Sequence, residues 1–249
     1  MESVGWVMRI LIMSDIHGNE EALKAVLEYV KLYSDIQRII LLGDIIDYGV
    51  HSNEVVDILK HLDKTIICNI WGNHEEAVLN DNYTRFSSER GKKCAQFTRS
   101  VLTSNSWNYI RSEMSHSGMM EFILEGKKCL AVHGSLEDMY WKSIRPGVMY
   151  SEYQKYDYVF SGHSHLPHMF EVFYEIYDPE NRNRKKTVFI NPGSVGQPRN
   201  LNPMAQFVVW ETDTDEIEMK KIPYDIEKEQ EAYTDQVDDF YRKRLERGI

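Results

Sequence analysis

The sequence predicts an α/β protein whose first half pairs its strands largely in parallel and whose strands from about residue 169 onward pair antiparallel. Three observations predict it. Short apolar runs rich in Ile and Val, each closed by Gly, Pro or a polar turn, recur along the chain and read as buried strands. Helical periodicity fills several of the gaps between them. From residue 169 onward, strand-like segments follow one another with little room for helices.

The elements come in this order. Residues 7–13 form the first run and end in Ser14-Asp15-Ile16-His17-Gly18. A helix over 20–33 places Leu23, Val26, Leu27 and Val30 on one face, with Asn19 as its N-cap and acids in its first turn. Residues 39–42 run into Gly43-Asp44, and a second helix over 53–62 carries Val55, Val56, Ile58 and Leu59. Residues 65–70 run into Trp71-Gly72-Asn73-His74. Residues 75–117 look helical and less regular, and are expected to cap one end of the sheet. Three further runs end in His133-Gly134, Ser161-Gly162-His163 and Asn191-Pro192-Gly193. Strands are expected over 169–177, 187–190, 205–211 and 217–222, with a polar hairpin tip over 178–186 that holds Arg182, Arg184, Lys185 and Lys186. A charged helix over 225–247 is expected to dock on its own domain. Residues 1–7 read as a dispensable extension.

At 249 residues the chain is expected to be one domain, large enough to bury a core without disulfides. The longest apolar stretches are too short for a membrane span, and no secretory signal is visible near residue 1. Cys68, Cys94 and Cys129 have unrelated spacings and read as reduced thiols of a cytoplasmic protein. The net charge of −10 argues against tracking a nucleic-acid backbone. If the substrate is anionic, positive charge must be local, and a bound metal is the obvious source.

In open α/β sheets functional groups gather beyond the carboxyl ends of the strands. Here those ends carry Asp15 and His17, Asp44 and Asp47, Asn73 and His74, His133, and His163 and His165. Each alone is an ordinary turn or cap residue. Together they would crowd carboxylates and imidazoles that repel or are costly to desolvate without partners, and divalent cations resolve both problems. Carboxylate, imidazole and amide donors without a nearby thiolate suit Mn, Fe, Zn or Co. There are enough of them for two ions, and a shared carboxylate would set these about 3.5–4 Å apart.

These residues resemble the calcineurin-like metallophosphoesterase family, whose pattern is D-x-H, G-D-x-x-D, G-N-H-[DE], a lone His and G-H-x-H. This chain reads Asp15-Ile16-His17, Gly43-Asp44-Ile45-Ile46-Asp47, Gly72-Asn73-His74-Glu75, His133 and Gly162-His163-Ser164-His165, in that order. It looks like the small prokaryotic branch that carries Asn-Pro-Gly-Ser-Val-Gly-Gln-Pro-Arg, here residues 191–199. Members of that branch are described as phosphodiesterases, cyclic-nucleotide phosphodiesterases and dinucleoside tetraphosphate hydrolases.

The resemblance implies two packed mixed β-sheets flanked by helices, a four-layer α/β/β/α sandwich. It implies one metal on Asp15, His17, Asp44 and His165, and a second on Asp44, Asn73, His133 and His163, with Mn or Fe favoured. His74 would act on the leaving oxygen and Asp47 would orient it. The implied reaction is in-line attack on phosphorus by a hydroxide bridging both metals, in a phosphodiester or phosphoanhydride of a small, nucleotide-type substrate. One departure matters. The family's protein phosphatases carry a phosphate-binding Arg after the second acid of G-D-x-x-D, and here that position is Tyr48. Phosphate binding passes to another group, for which Arg199 is the candidate. Tyr48, Tyr140, Trp141 and Arg145 lie beside the motifs and would either stack a base or pack their loops. The alternatives are a non-catalytic scaffold on the same fold, as in a retromer subunit, or a protein phosphatase or nuclease of the family. Scaffolds tend to lose ligands, and none is missing here. No membrane partner is implied, and the oligomeric state is not legible.

Overall fold

The structure is a computed structural model that describes residues 8–148, 150–175 and 185–249. Two five-stranded mixed sheets lie face to face, with helices on the outside of the first. Strands β1 (Arg9–Met13), β2 (Ile36–Leu41) and β3 (Thr65–Asn69) run parallel in the order β1-β2-β3. Helix α1 (Glu20–Lys31) connects β1 to β2, and α2 (Ser52–Lys60) connects β2 to β3. The second sheet orders β4 (Met119–Leu124), β5 (Lys127–Val132), β6 (Tyr158–Ser161), β8 (Lys186–Asn191) and β7 (His168–Phe173). Its three inner strands are parallel, and both edges are antiparallel hairpin partners. The chain then returns to the first sheet. There β9 (Ala205–Glu211) lies antiparallel to β1, and β10 (Glu216–Ile222) closes the edge.

Strand alternation sets the layers. Ile10 and Ile12 of β1, Ile40 of β2 and Trp210, from the strand that later returns beside β1, face the second sheet, whose Ala131, Phe160 and Ile190 meet them between the sheets. Leu11, Met13, Ile39 and Leu41 face outward onto α1, α2 and the helices after β3. Full burial of such side chains contributes about 1.5–3 kcal/mol each. The outer face of the second sheet is covered by residues 134–148 and 150–157, whose short helical turn is Ser151–Tyr153 and whose Ile144, Tyr153 and Tyr156 pack on Leu130, Val159 and Phe189.

Asn19 caps α1 as read, accepting from Ala22 N–H at 2.9 Å. The expected helical stretch 75–117 is three helices, α3 (Asn73–Asn80), α4 (Glu89–Val101) and α5 (Ser104–Ser112). Their buried residues Ala77, Ala95, Leu102 and Ile110 join the outer core of the first sheet. The expected continuous helix over 225–247 is a correction. It is two short helices, α6 (Ile226–Glu231) and α7 (Asp239–Arg244). Asp238 breaks it by capping Phe240 N–H, a local bond that competes with helix continuation. Strand β4 had no counterpart in the sequence reading. The strand expected at 169–177 begins at His168 and its ladder ends at Phe173. Residues 1–7, with their reading as an extension, and most of the 178–186 tip, with Arg182 and Arg184, lie outside the described residues. No described helix is long and apolar enough to cross a membrane.

One contact docks the carboxyl-terminal segment. His51 Nδ1 lies 3.1 Å from the buried carboxylate of Glu229. The hydrogen bond to Glu229 raises the His51 pKa, burial opposes the shift, and the Glu229 charge adds to it. A raised folded value stabilises fully below the unfolded value of about 6.5 and is lost as pH rises through the folded value. His51→Gln is therefore expected to lower Tm more at about pH 6 than at about pH 8.5, the two destabilisations differing by on the order of 1 kcal/mol. Melting curves at both pH values check it, and equal shifts would refute it.

Candidate metal centre

The carboxyl ends of β1, β2, β3, β5 and β6 meet on the seam between the two sheets. Asp15 and His17 leave β1, Asp44 and Asp47 leave β2, and Asn73 and His74 open α3 after β3. From the second sheet come His133 after β5, and His163 and His165 after β6. The backbone is forced to aim them. Asp15, His17, Asp44, Asp47, His163 and His165 all have φ between 50° and 70°, a region that costs non-glycine residues energy and recurs at functional sites. Gly72 has a different reason to be glycine. A Cβ there would stand 2.1 Å from Asp44 Oδ1.

The side chains form two sets that share Asp44. Ligand-type atoms of Asp15, His17, Asp44 and His165 all lie within 4.8 Å of one another, as do those of Asp44, His133 and His163. Asn73 Oδ1 joins the second set, 3.0 Å from His133 Nε2 and 2.8 Å from His163 Nδ1. Asp44 Oδ2 is 3.2 Å from His133 Nε2 and 3.7 Å from His17 Nε2.

Three of these imidazoles have their tautomer fixed by the backbone. Nδ1 of His17, His133 and His165 faces the carbonyl oxygens of Ile46, Leu42 and Gln197 at 3.2, 2.7 and 2.6 Å. Nδ1 must carry the proton there, which leaves Nε2 bare in the neutral ring. Yet Nε2 of His17 and His165 stand 3.1 Å apart, lone pair against lone pair. Asp15 Oδ1 is buried beside His165 Nε2 at 3.1 Å and has no hydrogen-bond partner. A cation between these atoms would satisfy all three, so the donor set fits transition-metal ions.

Electrostatics agree with that use. Burial, together with neighbouring positive groups, holds His17 well below its ordinary value and brings His163 to about 3 and His165 to about 4. They are neutral near pH 7, the form that ligates. Burial also opposes charge on Asp15 and Asp44, but the imidazoles around them prevail and keep both carboxylates ionised, Asp44 well below its ordinary range. Burial would lower His133 too, but Asp44 and Asp15 push it up to about 9, so a proton and a cation compete for its Nε2.

His74 stands beside the cluster. Its Nε2 is 3.9 Å from Asp44 Oδ2, and its Nδ1 is 2.6 Å from Asp47 Oδ2. Thr98 donates to the other Asp47 oxygen at 2.8 Å. Burial disfavours the His74 cation, but Asp44 and the hydrogen bond to Asp47 outweigh it and raise the pKa. Arg199 lies further out, with its Cζ 6.0 Å from the Tyr48 ring. Tyr48 packs between His17 and His74 at 4.6 and 4.3 Å. Tyr140 packs its loop, donating its hydroxyl to the His116 carbonyl. Trp141 and Arg145 line a cavity of about 500 Å³ that opens beside His163.

Two supports escaped the sequence reading. Glu75 was quoted only as part of a motif. It is fully buried, and its carboxylate accepts N–H groups of Gly72, Asp44, Ile45 and Ile46 at 2.7–3.2 Å. It thereby clamps the Asp44 loop against α3, although burial and the Asp44 charge push its pKa up to about 7. The loop over 191–199 braces the first motif. Val195 and Gly196 N–H donate to the carbonyls of Ser14 and Asp15, both at 3.1 Å, and the Ser194 hydroxyl donates to Asp15 O at 2.6 Å. A Cβ on Gly196 would meet Ile16 O at 1.8 Å, so only glycine allows the approach. The glycines and the Asn-Pro turn of that run were the available signal.

Comparison with known proteins places this geometry. A family model described as the calcineurin-like phosphoesterase superfamily domain matches residues 8–215. An uncharacterised protein of Methanocaldococcus jannaschii is 30% identical over 223 residues, 88% of this chain and 89% of that one. Among solved structures, a metallophosphoesterase from Sphaerobacter thermophilus superposes with a TM-score of 0.74 at 25% identity, covering 98% of this chain and all of the other. A hypothetical protein from Pyrococcus horikoshii does so with a TM-score of 0.80 at 18% identity, covering 97% and 99% of the two chains.

Proposed function

This chain belongs to the calcineurin-like phosphoesterase superfamily, and we propose that it is a metal-dependent hydrolase of phosphodiester or phosphoanhydride bonds in a small, nucleotide-type substrate. The observation that carries the reading is the facing pair of bare imidazole nitrogens beside the partnerless Asp15 oxygen, in a cluster that shares Asp44 between two ligand sets. Asp15, His17, Asp44 and His165 would hold one transition-metal ion, and Asp44, Asn73, His133 and His163 the other, with Mn or Fe favoured. When bound, two such ions supply an activated water and positive charge for the phosphate.

The chain's own groups supply the rest. His74, whose pKa Asp44 and Asp47 raise against the effect of burial, donates its Nε2 proton to the leaving oxygen. Asp47, itself held by Thr98, fixes the ring so that Nε2 faces the cluster. Arg199 binds a phosphate oxygen. Asn73 is a neutral donor, which avoids a further negative charge where an anion must bind. The 500 Å³ cavity with Trp141, Arg145 and His163 on its walls is of a size that takes a nucleoside, and Trp141 offers a stacking face on which a base would lie.

The test is a screen of the Mn-loaded protein against an aryl diester, an aryl monoester, 2′,3′-cyclic nucleotides and diadenosine tetraphosphate, with elemental analysis alongside. Turnover of at least one, lost on chelation and restored by Mn, supports the proposal. No turnover with Mn, Fe, Zn or Co, and no transition metal at about one or two per chain, would overturn it.

A further inference from the structure

Two consecutive residues of the loop after β2, Asp47 and Tyr48, sit in the left-handed region, at φ 70° and 62°. Aspartate tolerates that region, whereas a bulky tyrosine enters it only where its surroundings hold it there. The Tyr48 ring thereby lies against two histidines of the site, 4.6 Å from His17 and 4.3 Å from His74. His74 depends on such neighbours. Its hydrogen bond to Asp47 fixes one ring atom, Nδ1, and a single point of contact leaves the tilt of a ring open. The tilt decides where Nε2 points, and it is set by the rings that pack on His74. Tyr48 is the nearest of them among the described residues, with His17 at 4.7 Å and Phe86 at 5.1 Å.

Tyr48 in turn leans on the carboxyl-terminal segment. Tyr241 of α7 is only 3% exposed and stacks on the Tyr48 ring at 4.8 Å, with 20° between the planes. Cys94 of α4, Tyr233 and Leu245 form one buried cluster with Tyr241, and Tyr48 packs against it. The segment is anchored on either side of Tyr241. Glu229 is held by His51, and the Gly248 carbonyl accepts the Leu201 N–H at 2.8 Å. Among the described residues, the ring contacts of Tyr241 are with Tyr48 and Phe240. Its influence on the histidines therefore passes through Tyr48. Stacked rings prefer defined geometries, which an aliphatic side chain of similar bulk does not impose.

We propose that Tyr241 is a positioning residue of the reaction, acting through Tyr48 to fix the tilt of the His74 ring. The inference rests on the phosphoesterase reading and extends the working site to α7, which is then a wall of that site as well as a docked tail.

The experiment measures kcat and KM of the Mn-loaded full chain on the ester that the screen above finds turned over fastest, in a double-mutant cycle of Tyr241 and His74. Tyr241→Leu is expected to lower kcat about tenfold, the scale of a sub-ångström misplacement, with KM within about twofold and bound metal unchanged. Tyr241→Phe keeps the ring and should stay within about twofold of wild type. In a His74→Ala background Tyr241→Leu should cost less than about twofold, because the ring it positions is gone. Melting curves confirm that each variant folds. Should Tyr241→Leu melt below the assay temperature, Tyr48→Leu tests the same relay from its other end, and its effect on kcat should likewise vanish in the His74→Ala background. No loss, an equal loss in both backgrounds, a loss that follows bound metal or KM, or a Phe variant as slow as the Leu variant makes Tyr241 mere packing and overturns the proposal. The two failures are distinct. An active wild type with an additive cycle refutes the positioning role alone, and a wild type that turns over no ester refutes both.

Discussion

Asp44→Asn is expected to lower turnover of any phosphate ester by about 10³-fold or more, the upper range for removing one preorganised charge, and to lower bound metal with it. The substitution preserves shape, so the tight fit against Gly72 survives. What changes is charge at the point both ligand sets share. Asp44 Oδ2 is the carboxylate oxygen 3.2 Å from His133 Nε2, and it stands 3.7 and 3.9 Å from Nε2 of His17 and His74. An amide there is a poorer ligand and cannot balance two cations. Elemental analysis against protein concentration, run beside diester turnover, checks both halves. A variant that keeps its full metal complement at wild-type rate would remove Asp44 from the centre of the mechanism.

His74→Ala separates the chemistry from the metals. His74 belongs to neither ligand set, so metal content should hold while the rate falls roughly 10²–10⁴-fold, the usual contribution of a general acid. The loss should be steepest for substrates with poor leaving groups and mild for an aryl ester, whose leaving oxygen needs no proton. The pH profile carries the sign. The pKa of His74 is raised, so the protonated, active form persists above the ordinary imidazole range and rate falls as pH rises through that value. Asp47→Asn removes part of the shift, and the falling limb should move to lower pH. An unmoved limb, or a loss independent of leaving group, would refute the acid role.

The strands that carry these groups were legible because they are buried on both faces. Runs such as Ile10-Leu11-Ile12-Met13 read as continuous apolar sequence, and their ends are marked by Gly, Asp and His. Each ligand residue is thus named by a local pattern, and five such patterns converge. Other features depend on distant contacts with no local signature. Strand β4, Met-Met-Glu-Phe-Ile-Leu, is a half-exposed edge whose apolar side chains do not alternate with polar ones. Strand β9 reads as a strand, but nothing in its residues says that it leaves the second sheet to pair with β1. The tail failed as one helix because the side chains of Gln236 and Asp238 accept from the backbone N–H groups of Thr234 and Phe240, local bonds that compete with a continuing helix. Glu75 sat inside a motif, but its four backbone contacts follow from a fold that brings the β2 loop over the start of α3.

The proposed function makes the distance between the sheets a catalytic variable, because the site lies on their seam. Asp44 belongs to one sheet and His133 to the other, and 3.2 Å separates them. That gap depends on how Phe160, Ile190 and Trp210 fill the space between the sheets. Misplacement of reacting groups by about 1 Å can cost on the order of 10²-fold in rate. Under the proposed function the hydrophobic filling would act as a spacer for the reaction, and enlarging or trimming one of its members would lower the rate without touching a polar atom.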